Sequence, residues 1–173
     1  MLHAAHAAGV GAVAGVAWLG YTPPTGVDIL RRGRAAQAGP VLDDALDGMA
    51  AARAAAGAGD ARVTVVAHSY GTVVLEEAAE APGRLAADAV VLLGSPGTGG
   101  VARSLEAPEV YDAASVADPI SWSGWFGAGP WEPIFGADEL PVASGTGHSG
   151  YLDPGPTLTA IGGVIAGPAA TAP

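Results

Sequence analysis

Cysteine is absent from the 173-residue sequence, and so is lysine. Without Cys the chain has no disulfide framework, no thiolate for an Fe–S cluster or a Cys-ligated zinc, and no thiol nucleophile. All seven basic residues are Arg, against 17 Asp and Glu, and the formal net charge is −10. A DNA or RNA binder presents a basic stripe to the phosphates. The one basic cluster here is Arg31, Arg32 and Arg34, which reads as the solvated start of a helix. The charge balance therefore argues against nucleic acid as a partner and against anionic membrane surfaces. Long apolar runs are also missing. Ala4–Leu19 is almost wholly apolar, but it is short and broken by Gly9, Gly11 and Gly15, so no integral membrane segment is expected. No Lys or Arg precedes that run, which makes it a poor signal peptide and favours a cytoplasmic protein, with secretion left open. Aromatic residues are only 6% of the chain, whereas Ala alone supplies 39 residues. Side chains are small, and helices can approach strands closely.

What is present is a rhythm of strands and helices. The length suits one domain over residues 1–173. Val13–Leu19 is a short apolar run closed by Gly20 and Pro23-Pro24, the pattern of a buried strand. Asp28–Ala56 reads as helix, kinked or split by Pro40 and stopped by the glycines at 57 and 59. Arg62–Ala67 is continuous and β-branched, as in a parallel strand covered on both faces. Thr72–Glu80 reads as helix, Asp88–Leu93 as strand, Glu109–Ala113 as a short strand, Leu140–Ser144 as another, and Pro156–Ala166 as the last helix. This alternation predicts an α/β fold with a mainly parallel sheet flanked by helices. In such sheets ligands bind beyond the carboxyl ends of the strands, so motifs at those ends carry the functional argument. Ser121–Phe135 breaks the rhythm. It holds three of the four Trp and reads as an ordered loop or cap, with Trp122, Trp125, Phe126 and Trp131 available to wall an apolar acyl pocket.

The sharpest motif is Ala67-His68-Ser69-Tyr70-Gly71, between an apolar strand and a helix. A Ser in a strand–turn–helix corner is pushed out of the turn with its hydroxyl exposed above the sheet. The residues two before and two after it must be small, because strand and helix converge there. Ala67 and Gly71 meet that need. The helix start also offers the Tyr70 backbone N–H and a positive dipole end to a developing oxyanion.

A Ser nucleophile needs a base, and the base needs an orienting acid. His3 and His6 precede the first strand and lack a third partner for a metal. His68 is locked inside the corner, where packing or a hydrogen bond is its ordinary role. His148, in Gly145-Thr146-Gly147-His148-Ser149-Gly150, lies in a late loop after a candidate strand. In the chain order Ser, acid, His, that is where the base belongs. Asp118 follows the Val110–Tyr111 strand and is the favoured acid. Asp112 is its rival, with Asp138 and Glu139 behind. Two glycine-rich strings are set aside. Gly9–Gly15 has no strand before it, as a dinucleotide loop requires, and Gly94–Gly100 lacks the Lys and Ser/Thr of a phosphate loop and reads instead as a tight turn at a strand end, beside the expected site.

Taken together, five pieces resemble an actinobacterial α/β-hydrolase family of unknown function whose corner typically reads Gly-His-Ser-Tyr-Gly. They are Trp18–Pro24, Arg62–Gly71, Asp88–Gly97, Val110–Ile120 and Gly147–Asp153, in the right order. Ala67 departs from the usual Gly. The resemblance implies a serine hydrolase with Ser69, Asp118 and His148 as triad, acting on a small-molecule ester or related acyl substrate without cofactor or metal. It also implies strands before the Trp18–Tyr21 stretch, one of whose loops gives a second oxyanion donor. The sequence begins after that point. The expectation is an N-terminally shortened hydrolase domain, with Tyr70 N–H as the remaining donor and an open sheet edge available for self-association. Loss of one oxyanion donor lowers turnover by about 10²–10³. The competing reading is a non-catalytic α/β module or remnant. Acyl transfer in place of hydrolysis is a variant of the first.

Overall fold

The computed structural model describes residues 1–58 and 60–167. The element order is α1 (Leu2–Ala7), a 3₁₀ turn (Gly26–Leu30), α2 (Gly33–Ala55), β1 (Thr64–His68), α3 (Tyr70–Ala79) and β2 (Ala89–Leu93). A second 3₁₀ turn (Ala102–Leu105), β3 (Glu109–Ala113), β4 (Asp138–Glu139) and α4 (Pro156–Ala166) complete the order. The four strands form one parallel sheet in the order β1-β2-β3-β4. Helices cover both faces, as the alternation predicts.

Strand periodicity explains the two layers. Val90, Leu92 and Val110 point to one side, where Ala35, Ala38, Leu42 and Leu46 of α2 and Val73, Val74 and Leu75 of α3 close over them. Ala89, Val91, Leu93 and Ala113 point to the other side, against Ile161 and Val164 of α4 and Tyr151. All five residues of β2 are buried, which is why its sequence is continuously apolar. Small residues let α2 and α3 pack closely. A Cβ on Gly39 would stand 2.5 Å from the Glu77 carbonyl carbon, so only glycine fits at that crossing.

Several elements depart from the sequence expectation. Val13–Leu19 joins no strand; Val16 and Leu19 are exposed. Its apolar run has the composition of a strand but no ladder partner among the described residues. The helix expected from Asp28 begins at Gly33, after the 3₁₀ turn. Pro40 neither splits it nor ends it; it lies on the solvent face, where a carbonyl left without its N–H partner is open to water. The helix stops at Gly57 in the left-handed region (φ 70°), with Ala58 N–H bonded to the Arg53 carbonyl at 2.8 Å; residue 59 lies outside the described residues. The fourth strand is Asp138–Glu139 and not Leu140–Ser144. Leu140 N–H donates to the Asp112 carbonyl at 2.7 Å, and pairing ends there, with Pro141 next in the chain.

Arg32 is not a freely solvated side chain. It pairs with Glu76 at 2.7 Å and Glu77 at 3.1 Å on α3, and donates to the Phe126 carbonyl at 3.0 Å. Glu76 is buried and also accepts from Gly100 N–H. These bonds hold the Trp-rich loop and the turn after β2 to the second half of α3 and to the start of α2.

Candidate active site

The parallel register aligns the carboxyl ends of β1, β2 and β3: His68 lies beside Leu93, and Leu93 beside Ala113. The loops that leave these three strand ends therefore converge on one place. Ser69 comes directly after β1. Its backbone lies at φ 56° and ψ −129°, a positive-φ conformation that non-glycine residues rarely adopt. Strain of this kind, of order 1–3 kcal/mol, persists only where the surroundings impose it. Here Ser69 N–H is tied to the Leu93 carbonyl (2.9 Å), and α3 begins at the next residue. The hydroxyl is thus lifted off the sheet. Tyr70 N–H, the first of α3, makes no hydrogen bond among the described residues. The Tyr70 hydroxyl donates to the Arg31 carbonyl (2.7 Å) and accepts from Ala35 N–H (3.1 Å), which fixes the corner against α2.

Asp118 lies five residues beyond β3 and is fully buried. His148 lies in the loop between β4 and α4. The three predicted side chains form one continuous line. His148 Nε2 is 2.7 Å from Ser69 Oγ, and His148 Nδ1 is 2.9 Å from Asp118 Oδ2. Asp118 Oδ1 accepts from Ile120 N–H at 2.9 Å, and Oδ2 accepts a second bond, from the Tyr151 hydroxyl, at 2.7 Å. Burial works to raise the Asp118 pKa. The bonds from His148, Tyr151 and Ile120 outweigh burial and hold it below the usual carboxylate range, so the group is ionised at neutral pH. An ionised Asp118 bonded to Nδ1–H leaves the lone pair of neutral His148 on Nε2, facing Ser69 Oγ.

The rival acids do not join this line. Strand alternation puts Asp112 on the side of Val110, the layer of α2 and α3, away from Tyr151 and α4. Its carboxyl is buried with no good hydrogen-bond partner for either oxygen. Burial, reinforced by Glu139 and offset in part by Ala113 N–H, pushes it up to about 7. The unfolded chain gives up this proton near pH 4. The folded chain therefore holds more protons between those values, and stability falls as pH rises through that window and stays lower above it. Asp112→Asn is expected to flatten the dependence. Melting curves at about pH 5 and about pH 9 should show the native chain losing roughly 5 °C at the higher pH and the variant losing little. A native melting temperature equal at both would contradict this.

Three further residues contribute; sequence reasoning missed Tyr151, and read His68 only for packing or a hydrogen bond and Gly94 only as part of a tight turn. Tyr151 is one; it stands three residues after His148 in a glycine-rich string. His68 is another: its Nε2 donates to the His148 carbonyl at 2.6 Å, and the two rings lie 4.7 Å apart. Desolvation lowers the His68 pKa, which keeps the ring neutral at pH 7 and leaves Nε2 free to carry the donated proton. Gly94 is the third. It ends β2 at φ 54°, and a Cβ there would lie 2.7 Å from Asp118 Oδ2, 2.8 Å from Tyr151 Cε2 and 3.2 Å from His148 Nδ1. Gly94→Ala is expected to push Asp118 and His148 apart and to strain the turn. A displacement near 1 Å costs about 10²-fold in rate. Ester turnover and a thermal melt on the same sample check this; full activity in the variant would refute it.

The expected wall of Trp residues is only partly formed. The Trp122 and Trp131 rings lie 4.4 Å apart, tilted by 49°, with their N–H groups bonded to the Ser115 and Ser121 carbonyls. Trp125 is 55% exposed, and Trp122 and Trp131 about 40%. A cavity of about 510 Å³ lies between Ser115–Val116 and Leu140–Ser144, and none of Ser69, Asp118 and His148 lines it. His6, considered as a metal ligand, bonds instead to the Val10 carbonyl at 2.8 Å.

A parallel sheet with helices on both faces, a strained Ser at the first strand–helix corner, and His and Asp from later loops all point one way. An alpha/beta hydrolase family model matches residues 1–126. The chain belongs to the alpha/beta hydrolase family. The matched stretch holds Ser69 and Asp118 and ends before His148. Among curated proteins, uncharacterized proteins of Mycobacterium bovis and Mycobacterium tuberculosis are 35% identical over 155 residues, covering 85% of this chain and 54% of theirs. The chain thus spans about half the length of the curated relatives it matches. No solved structure matches it. Among the described residues no helix is long and apolar enough to cross a membrane.

Proposed function

We propose that this alpha/beta hydrolase is a serine hydrolase acting on small ester or related acyl substrates, with Ser69 as nucleophile, His148 as base and Asp118 as orienting acid. The observation that carries the reading is the unbroken line Ser69 Oγ–His148 Nε2, His148 Nδ1–Asp118 Oδ2, at 2.7 and 2.9 Å. Ser69 Oγ attacks the acyl carbonyl while His148 Nε2 takes its proton. Tyr70 N–H, free at the positive end of α3, donates to the oxyanion. Collapse of the tetrahedral intermediate breaks the bond to the alcohol, which leaves with the proton from His148. Water then attacks the acyl-Ser69 ester, giving its proton to His148; the second tetrahedral intermediate collapses, Ser69 Oγ leaves with that proton, and the acid is released. Asp118, ionised throughout, stabilises the imidazolium in both halves. None of these steps calls on a cofactor.

The outer edge of β1 supports a second element of the reading, self-association. The backbone groups of Thr64, Val66 and His68 that face away from β2 make no hydrogen bond among the described residues, and such an edge is a template for pairing.

Turnover of p-nitrophenyl acetate by the purified chain, followed by stopped flow, tests the hydrolase reading. The expected record is an initial burst of p-nitrophenol equal to the enzyme, then a slower steady rate as the acyl-enzyme hydrolyses. A folded chain giving no release above buffer would overturn it.

A further inference from the structure

Tyr151 takes no part in the chemical steps of acyl transfer, yet its hydroxyl ends on the acid of the line. It is 1% exposed, and it donates to Asp118 Oδ2 at 2.7 Å while accepting from Ser115 N–H at 3.0 Å. Oδ2 is the oxygen that also accepts from His148 Nδ1. Two donors thus share one acceptor, and Ile120 N–H occupies the other oxygen. Tyr151 also sits in the loop that carries His148. Gly150 N–H bonds back to Gly147, and Asp153 N–H to Gly150, so a pair of tight turns sets the three-residue spacing. The same side chain therefore ties the base-bearing loop to the acid-bearing loop, at Ser115 and at Asp118. Its ring lies against Gly94, where a Cβ would come within 2.8 Å of it.

We propose that Tyr151 is a positioning residue that acts through Asp118, setting how much of the carboxylate's charge reaches His148. This rests on the proposed hydrolase reading. A donor on Oδ2 stabilises the carboxylate and draws charge from its bond to the imidazole. Removal of that donor concentrates the charge on His148, which then keeps its proton to higher pH and acts as base over a narrower range. The phenol does not ionise in the working range, because burial, together with the carboxylate it faces, pushes it up to about 12. It remains a donor wherever Asp118 is ionised. A residue that only filled space would leave the acid limb of the pH profile where it is.

The test is the pH dependence of kcat/KM for p-nitrophenyl acetate in Tyr151→Phe, per active site counted by the burst. Phe keeps the ring against Gly94 and removes only the hydroxyl. The expected result is a fall in rate of about threefold at a pH within the acid limb, the size that follows from a half-unit move of its midpoint. KM should change little, and the acid limb should move up by roughly half a pH unit. A second protein carries 3-fluorotyrosine at 151, which keeps the fold and makes the phenol a stronger donor. There the limb should move down. Opposite shifts in the two proteins establish the role. If either folds and shows the native midpoint, the inference is overturned, and if Tyr151→Phe does not fold, the fluorinated protein alone decides. A native chain with no Ser69-dependent turnover at all would instead overturn the hydrolase reading on which the inference rests.

Discussion

Ester turnover should fall by about 10⁵–10⁶ in Ser69→Ala, effectively to the buffer rate, with the fold intact. The size follows from what the hydroxyl does. In the proposed mechanism it is the only group whose bond to the acyl carbon is formed in the first half-reaction and broken in the second, and His148 has no other proton to take from the chain at that point. Alanine also relieves nothing else. Among the described residues Ser69 Oγ has no bond other than that to His148 Nε2, so no buried polar partner is orphaned and stability should hardly change. The φ of 56° stays strained for alanine as it is for serine. The measurement is the steady-state and burst rate with p-nitrophenyl acetate, beside a thermal melt of the same preparation. A variant that keeps a tenth of native turnover would mean that Ser69 is not the nucleophile.

Asp118→Asn should cost about 10⁴ in kcat at neutral pH, with a smaller effect on KM. The cause lies in the count of donors. The carboxylate accepts from His148, Tyr151 and Ile120, two of them on Oδ2. An amide has one acceptor oxygen and cannot satisfy both ends. With its oxygen toward Ile120 N–H, its NH₂ faces His148 Nδ1 and donates to it. The imidazole proton is then driven to Nε2, and the base can no longer accept from Ser69. With its oxygen toward His148 and Tyr151, its NH₂ meets Ile120 N–H, donor against donor, in a site with no water-exposed surface. Either arrangement costs rate, and the second also costs stability. Activity within tenfold of the native chain would place the acid elsewhere.

Much of the candidate-site line is legible in the sequence because it obeys local rules. The Ala67–Gly71 corner announces itself by small residues around a Ser at a strand-to-helix junction, and β1, β2, β3 and α4 appear within about two residues of where their patterns put them. Asp118 and His148 follow from chain order, and the distances bring them together. Asp112 cannot be rejected from sequence. Only the alternation along β3 reveals that its carboxyl faces the opposite layer. Tyr151 is invisible there, and Gly94 is legible only as part of a tight turn at a strand end, for a related reason. Their roles depend on how the ends of three strands converge, and no spacing within one loop encodes that. The Val13–Leu19 run shows the converse failure. Its composition is that of a strand, but a strand needs a neighbour to pair with, and the described chain brings none alongside it. The Trp-rich loop is ordered, as its composition predicts. The indole N–H groups of Trp122 and Trp131 are committed to backbone carbonyls, and both side chains stay about 40% exposed in place of walling a pocket.

The mechanism stands on Ser69 as an activated nucleophile, and active-site labelling probes that without choosing a substrate. The purified chain is treated with a fluorophosphonate and read by intact mass and by peptide mapping. One adduct per chain is expected, on Ser69, lost in Ser69→Ala and strongly slowed in Asp118→Asn. A folded chain that takes up no label, or takes it up at another residue, would contradict the mechanism.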